Sequence, residues 1–185
     1  MIIDIDSGWI RGVRRVPSPN CDRRPSGADL DLVVIHGISL PPGCFGGSCI
    51  DELFANELVA ERHPYFRAIA SLRVSSHVLI DRGGSLTQYV SFLDRAWHAG
   101  ESSYCGRTAC NDFSVGIELE GTDETPYEPI QYGTLAGLIQ ALRQTFPSLR
   151  EADVVGHCDI APERKTDPGP AFDWPRLRRL LRTGA

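Results

Sequence analysis

Lysine is almost missing from this chain: of its 19 lysine and arginine residues, Lys165 alone is lysine. Arginine stays protonated in a protein and presents a planar fork, whereas lysine is a compact charge that its surroundings can tune. A solitary lysine therefore points to chemistry, against the plain alternative of an arginine-biased genome that left one surface lysine. Positive charge as a whole is short as well. A formal net charge of -5 and a pI of about 5.5 argue against a nucleic-acid partner, which needs a basic footprint. No apolar run approaches membrane-spanning length, and the opening Met1-Ile-Ile-Asp-Ile-Asp-Ser-Gly-Trp-Ile10 carries acidic residues where an export signal needs positive ones. The expectation is a cytoplasmic protein with no membrane partner. Repeats, low-complexity tracts and linkers are missing too, so the 185 residues read as a single domain, 1–185, large enough to bury a core.

Six cysteines are present: Cys21, Cys44, Cys49, Cys105, Cys110 and Cys158. In a chain expected to stay in the cytoplasm, free thiols are the favoured interpretation over a disulfide framework. Cys44 with Cys49 and Cys105 with Cys110 have equal spacing, but neither pair has the two-residue knuckle that usually presents thiolates to zinc.

The first 30 or so residues carry no clear periodicity. Leu32-Val-Val-Ile-His36 is a short β-branched run followed by Pro41-Pro42-Gly43, the pattern of a buried central strand. Val74–Ile80 and Leu86–Phe92, joined across Arg82-Gly-Gly-Ser85, predict an antiparallel hairpin. Ser114-Val-Gly-Ile-Glu-Leu-Glu120 alternates as a strand would, with Val115, Ile117 and Leu119 on one face and Glu118 and Glu120 on the other. Leu135, Leu138, Ile139, Leu142 and Phe146 recur at helical spacing until Pro147. Asp153–His157 predicts a further strand and Trp174–Leu181 a short helix. Interleaved strands and helices with a hairpin predict an α/β (α+β) fold in which helices flank a central mixed sheet.

His36 and His157 each close a predicted strand, and ligand sites in sheet proteins gather beyond strand ends. Asp167 follows His157 by ten residues, a segment that would span roughly 33 Å if extended, so a shared ion requires the chain to double back. Pro162, Pro168, Gly169 and Pro170 supply bends. Two imidazoles and a carboxylate leave a fourth position open, the ligand set of a catalytic zinc site, for which amide or ester hydrolysis is the natural reaction class. Glu118 or Glu120 could move the water's proton, and Lys165 could hold the oxyanion of the tetrahedral intermediate. His63 reads as a loop residue and His77 as a hydrogen-bonded core residue. His98 beside Trp97 reads as packing or as a wall of the cleft. Arg176, Arg178, Arg179 and Arg182 read as a solvated helix face. Gly46-Gly47-Ser48 lacks the ending of a phosphate loop.

Four long motifs extend these patterns. Ile35-His-Gly-Ile-Ser-Leu-Pro-Pro-Gly43, Arg95-Ala-Trp-His-Ala-Gly100, Cys110-Asn-Asp-Phe-Ser-Val-Gly-Ile-Glu-Leu-Glu-Gly-Thr-Asp123 and Gly156-His-Cys-Asp-Ile-Ala-Pro-Glu-Arg-Lys-Thr-Asp-Pro-Gly-Pro170 closely resemble, in order, those of the AmpD family of bacterial amidases. The resemblance runs from about Gly8 to about Trp174. It implies the fold shared with peptidoglycan recognition proteins and phage amidases, zinc as cofactor, and hydrolysis of the amide between the lactyl group of anhydro-N-acetylmuramic acid and L-alanine in cell-wall turnover fragments. The partner it implies is the anhydromuropeptide substrate, with no protein partner. By position, it makes His36, His157 and Asp167 zinc ligands, Glu118 the acid/base carboxylate and Lys165 the transition-state stabiliser. Arg73, Trp97, Ala161 and Arg164 match positions associated with sugar and peptide binding. Two positions depart: the family usually has asparagine where Gly37 stands and arginine where Ala109 stands, both near substrate. The alternatives are a muropeptide-binding module without catalysis, which would typically lack part of the zinc set, and an amidase acting on intact peptidoglycan.

Overall fold

The chain folds around its most apolar strands, and the computed structural model describes residues 1–183; the last two residues of the expected 1–185 domain lie outside that range. The strands are β1 (Arg14–Arg15), β2 (Cys21–Arg23), β3 (Leu32–Ile38), β4 (Val78–Ile80), β5 (Leu86–Gln88), β6 (Asp94–Ala96), β7 (Ser103–Tyr104), β8 (Arg107–Thr108), β9 (Ser114–Glu120) and β10 (Asp153–Gly156). The helices are α1 (Cys49–Ala55), α2 (Phe66–Ile69), α3 (Pro129–Thr145), α4 (His157–Ile160) and α5 (Trp174–Thr183). Six strands form one sheet in the order β1-β5-β4-β9-β3-β10. Within it β4, β9, β3 and β10 run parallel, while β5 pairs antiparallel with β4, so the sheet is mixed. The expected architecture, a mixed sheet with flanking helices, is the observed one.

The two longest strands, β3 and β9, lie side by side in the middle, buried on both faces as continuous apolar runs of parallel sheets are. On one face Val33, Ile35, Val115, Ile117 and Leu119 pack with Tyr132, Leu135, Leu138, Ile139 and Leu142 of α3 and Leu177 of α5. Pro129 opens α3, where its missing N–H costs nothing. The Gln131 side chain accepts from the Glu128 N–H at 2.9 Å and donates to the carbonyls of Ile80 and Glu120 at 3.2 and 3.1 Å, which ties the helix to the ends of β4 and β9. On the other face Leu32 and Val34 meet Ala99, Cys110, Phe113 and Ile160, and Leu79 packs towards Ile50, Leu53 and Phe54 of α1.

Several boundaries shift from expectation. The hairpin is present but its strands are three residues each. Residues 74–77 lie outside β4: the Ser75 N–H bonds the Trp97 carbonyl and the Ser76 hydroxyl the Gly116 carbonyl, while the His77 N–H still reaches Gly116 of β9. β10 stops at Gly156, and His157 begins the short helix α4 instead of closing the strand. The N-terminal segment, expected to be irregular, contributes β1, which pairs with β5, and β2, which pairs with β6. Strands of two or three residues carry too little alternation to be read.

Candidate active site

Register places the first side chains. In the parallel pair β3/β9, His36 lies directly across from Glu118, and in β10/β3 Gly156 lies across from Ile35. The turn from β10 into α4 therefore delivers His157 beside His36 at the carboxyl end of the central strands. Asp167 is brought back as the sequence requires: the Arg164 and Lys165 N–H groups both bond the Ala161 carbonyl, and the Asp167 carbonyl accepts from the Cys158 N–H at 2.9 Å. Among the described residues, the group of histidine, cysteine and carboxylate side chains close enough to share an ion is His36, His157 and Asp167, whose ligand atoms all lie within 4.8 Å of one another.

The donor atoms fit a cation. The Nδ1 atoms of His36 and His157 are 3.0 Å apart, and the Asp167 Oδ2 lies 3.3 Å from the first and 3.1 Å from the second. Tetrahedral ligands about 2.0–2.1 Å from a metal are separated by roughly 3.3 Å, close to these edges. The His157 Nε2 faces the Ala99 carbonyl at 3.2 Å, and a carbonyl only accepts, so this nitrogen carries the proton and leaves Nδ1 bare in the neutral ring. Burial lowers the His36 pKa to about 4, against the opposing pull of the Asp167 carboxylate, so its imidazole is neutral at pH 7. Burial would raise the Asp167 carboxyl, but the flanking His157 and His36 rings outweigh it and hold the group well below the usual carboxylate range. Neutral imidazoles and an ionised carboxylate are the metal-binding forms.

The two glutamates on the shared face of β9 separate clearly. Glu120 is buried but satisfied, with its carboxylate accepting the backbone N–H groups of Gly46 and of Arg82. Glu118 is equally buried, yet its Oε2 has no hydrogen-bond partner among the described residues. Burial, reinforced by the Asp167 charge, pushes its pKa well above 4.5, while the Lys165 charge pulls the other way. Lys165 is half-buried and its charge also acts on His36. Glu120 is thus a loop anchor, and Glu118 is the carboxyl left free beside the three donors.

The remaining expected positions are Ala161, Arg164, Trp97 and Arg73. Ala161 and Arg164 line a cavity of about 860 Å³ with Gly100, Ser102 and Ala109. Arg164 also donates to the carbonyls of Ala99 at 2.7 Å and Glu101 at 2.8 Å, so part of its fork already serves the wall. Trp97 is half-buried, its indole N–H 3.3 Å from Asp22 Oδ1 and its carbonyl bonded to Ser75. Arg73, two residues from Ser75, is exposed and makes only long contacts, 3.4 Å, to the Ser71 and Leu72 carbonyls among the described residues. His77 is a core residue bonded to Gly116 and Asp94, and His63 caps a loop turn at Tyr65. Cys110 is buried against Phe113, whereas Cys44 and Cys105 are exposed.

Sequence reasoning passed over Tyr127. Its hydroxyl donates to the Pro168 carbonyl at 3.0 Å, one residue past Asp167, and a Cβ added at Gly37 would fall on that hydroxyl oxygen. A Cβ at Gly121 would sit 2.6 Å from the ring's Cζ. The signal was available in the glycines that end β3 and follow β9, which mark a close approach by something bulky. His98 was noticed, but not its contact with His36: the rings meet edge-on, with centroids 5.0 Å apart.

Comparison with known proteins places this geometry. Residues 26–170 match the model of the N-acetylmuramoyl-L-alanine amidase family. The 1,6-anhydro-N-acetylmuramyl-L-alanine amidase AmpD of Citrobacter freundii is 56% identical over 177 residues, covering 96% of this chain and 94% of that protein. Among solved structures, a selenomethionine AmpD derivative superposes with a TM-score of 0.93 at 55% identity, covering 98% of this chain and 99% of that one. The Escherichia coli amidase AmiD, solved with anhydro-N-acetylmuramic acid-L-Ala-D-γ-Glu-L-Lys, is 30% identical with a TM-score of 0.59, covering 85% of this chain and 60% of that one. With a donor triad, an unpartnered glutamate and relatives matching along nearly their full length, the chain belongs to the AmpD family of 1,6-anhydro-N-acetylmuramyl-L-alanine amidases.

Proposed function

We propose that this chain, acting as one domain, is a zinc-dependent amidase of cytoplasmic cell-wall recycling. It cuts the amide between the lactyl group of 1,6-anhydro-N-acetylmuramic acid and L-alanine in muropeptides. The observation that carries the reading is the unpartnered Glu118 Oε2 beside the three convergent donors of His36, His157 and Asp167. Two imidazoles with one carboxylate favour zinc over the oxygen-preferring ions magnesium and calcium. Zinc held by these three residues would supply Lewis acidity, polarising a carbonyl and acidifying water towards a pKa of ~7.

The chain's own groups then account for the rest. Lys165 places its ammonium where negative charge develops on the lactyl oxygen. The cavity beside Ala161 and Arg164, together with Trp97 and Arg73, holds the sugar and stem peptide, a role that rests on the resemblance for the last two. AmiD, with its bound anhydromuropeptide, supports this substrate class. The net charge of -5 offers no footprint for nucleic acid, and no helix among the described residues is long and apolar enough to cross a membrane.

The test is incubation of the purified protein with anhydromuropeptide, with free stem peptide followed by mass spectrometry. Release that stops on chelation and returns with Zn2+ is expected; no release with zinc present refutes the reading. Comparison with reduced muropeptides separates an anhydro-specific enzyme from an amidase of intact peptidoglycan.

A further inference from the structure

His98 is buried and lies outside the proposed ligand set, yet its ring completes a directed chain of hydrogen bonds ending at the metal site. The direction follows from the far end. The Ser114 hydroxyl lies 2.6 Å from the Cys110 carbonyl, which only accepts, so the single hydroxyl proton is spent there. The His98 Nε2, 3.1 Å from the same hydroxyl oxygen, must then be the donor. A neutral His98 protonated at Nε2 has a bare Nδ1, and that atom lies 2.9 Å from the Nε2 of His36. His36 accordingly carries its proton on Nε2, and its Nδ1 lone pair points at His157 and Asp167.

The next residue does the same for the second imidazole. The Ala99 carbonyl takes the Nε2 proton of His157 at 3.2 Å and leaves that Nδ1 bare. The dipeptide is itself held from three sides. The Asn111 Oδ1 accepts both the His98 and Ala99 N–H groups, at 3.0 and 2.8 Å. Arg164 bonds the Ala99 carbonyl at 2.7 Å. Gly116 leaves room for the ring, since a Cβ there would come within 2.6 Å of the His98 Nδ1.

We propose that the His98–Ala99 dipeptide sets the tautomer and orientation of both metal-binding imidazoles, with His98 as the positioning residue for His36 and Ser114 as the group that gives the chain its direction. The inference rests on the metal-site reading above. Partners of this kind raise metal affinity by fixing the ligand before the ion arrives, and their loss typically weakens binding 10- to 100-fold, as an order of magnitude.

The experiment titrates Zn2+ into the metal-free protein against a competing chelator, with long-range 1H–15N spectra of the histidine rings recorded before zinc is added. The wild type is expected to show His36 and His98 as fixed Nε2–H tautomers. His98→Leu should weaken zinc binding by about 10- to 100-fold and release the His36 tautomer into a mixture. His98→Asn, which keeps an acceptor near the Nδ1 position, should recover most of the affinity. Ser114→Ala provides a second variant should His98→Leu not fold; it leaves both rings in place and should mix the His98 tautomers. Wild-type affinity and an unchanged His36 tautomer in Ser114→Ala and in folded His98→Leu overturn the proposal alone. Failure of the wild type to bind Zn2+ overturns the metal site as well.

Discussion

Replacing Glu118 by glutamine should stabilise the metal-free protein while disabling it. The carboxyl is 8% exposed, and its Oε2 has no partner among the described residues, so burial disfavours the charged form. At pH 7 the group has two options in the fold: to remain ionised in a dry site, or to take up a proton. The second option sets a ceiling on the cost. Protonating a carboxyl whose ordinary pKa is 4.5, about 2.5 pH units below neutrality, costs about 3.4 kcal/mol. Glutamine has the same shape and never pays that cost, so its gain is at most about 3.4 kcal/mol, or about 7 to 14 °C in Tm for a domain of this size.

The sign with pH follows. A carboxyl with a raised folded pKa binds more protons in the native state than in the unfolded one, so its contribution falls as pH rises from 4.5 towards the folded value. His36, with its pKa lowered to about 4, gives the opposite slope between that value and 6.5. Subtracting the Glu118→Gln curve from the wild-type curve isolates the glutamate, and the difference should vanish near pH 4.5 and grow towards neutral. Calorimetry of the chelated proteins from pH 4.5 to 7.5 measures it. In the zinc-loaded enzyme the same variant should lose about 10²- to 10⁴-fold in kcat, the usual worth of a positioned acid/base, at unchanged metal content. A lower Tm in the variant would mean that the carboxylate holds the fold together, and wild-type turnover would remove it from the chemistry.

Three further outcomes are expected. Lys165→Ala should cut kcat by about 10²- to 10³-fold, as loss of an oxyanion donor does, with zinc content by atomic absorption unchanged; loss of the metal would make the lysine structural. Gly37→Asn should destabilise the chain by about 1 to 3 kcal/mol through collision with the Tyr127 hydroxyl, measured by urea unfolding, and Tyr127→Phe in the same chain should recover part of it. A neutral effect of the single substitution would show that Tyr127 moves aside freely. Chelation should lower Tm by about 8 to 16 °C relative to protein in zinc at 1,000 times its Kd, since such a ligand contributes about 4.1 kcal/mol; an unchanged Tm would refute a preformed site.

Legibility in the sequence tracked how local each determinant is. The runs at 32–36 and 114–120 announced the central strands because burial on both faces leaves an apolar or alternating record along the chain itself. The pairing of His36 with Glu118 could not be read that way, since register between β3 and β9 is fixed across 82 positions of sequence by the packing of both strands against α3. Strand alternation likewise gave Glu118 and Glu120 the same standing. What divides them is the Gly46 and Arg82 N–H groups, contributed by distant loops, which occupy one carboxylate and leave the other free. The dipeptide at 98–99 was hidden for the same reason: its partners Ser114, Asn111 and Arg164 come from other segments, and only the fold brings them to one place.

The substitution that looked like a simple loss in sequence has a different meaning in the fold. Gly37 in place of asparagine suggested a missing amide near substrate. In the structure, the space a side chain would start from is taken by Tyr127, whose hydroxyl packs on Gly37 of β3 and donates to the Pro168 carbonyl. The carbonyl it holds belongs to the residue after Asp167, so the tyrosine braces the third donor against the strand that carries the first. Gly37 and Gly121 are then conditions for that brace, because each lies where a Cβ would meet the Tyr127 side chain. Restoring asparagine at position 37 therefore cannot simply add a substrate contact: it must displace the tyrosine and loosen Asp167. Any gain in substrate affinity should come with weaker zinc binding, and the two constants measured on one variant would expose the exchange.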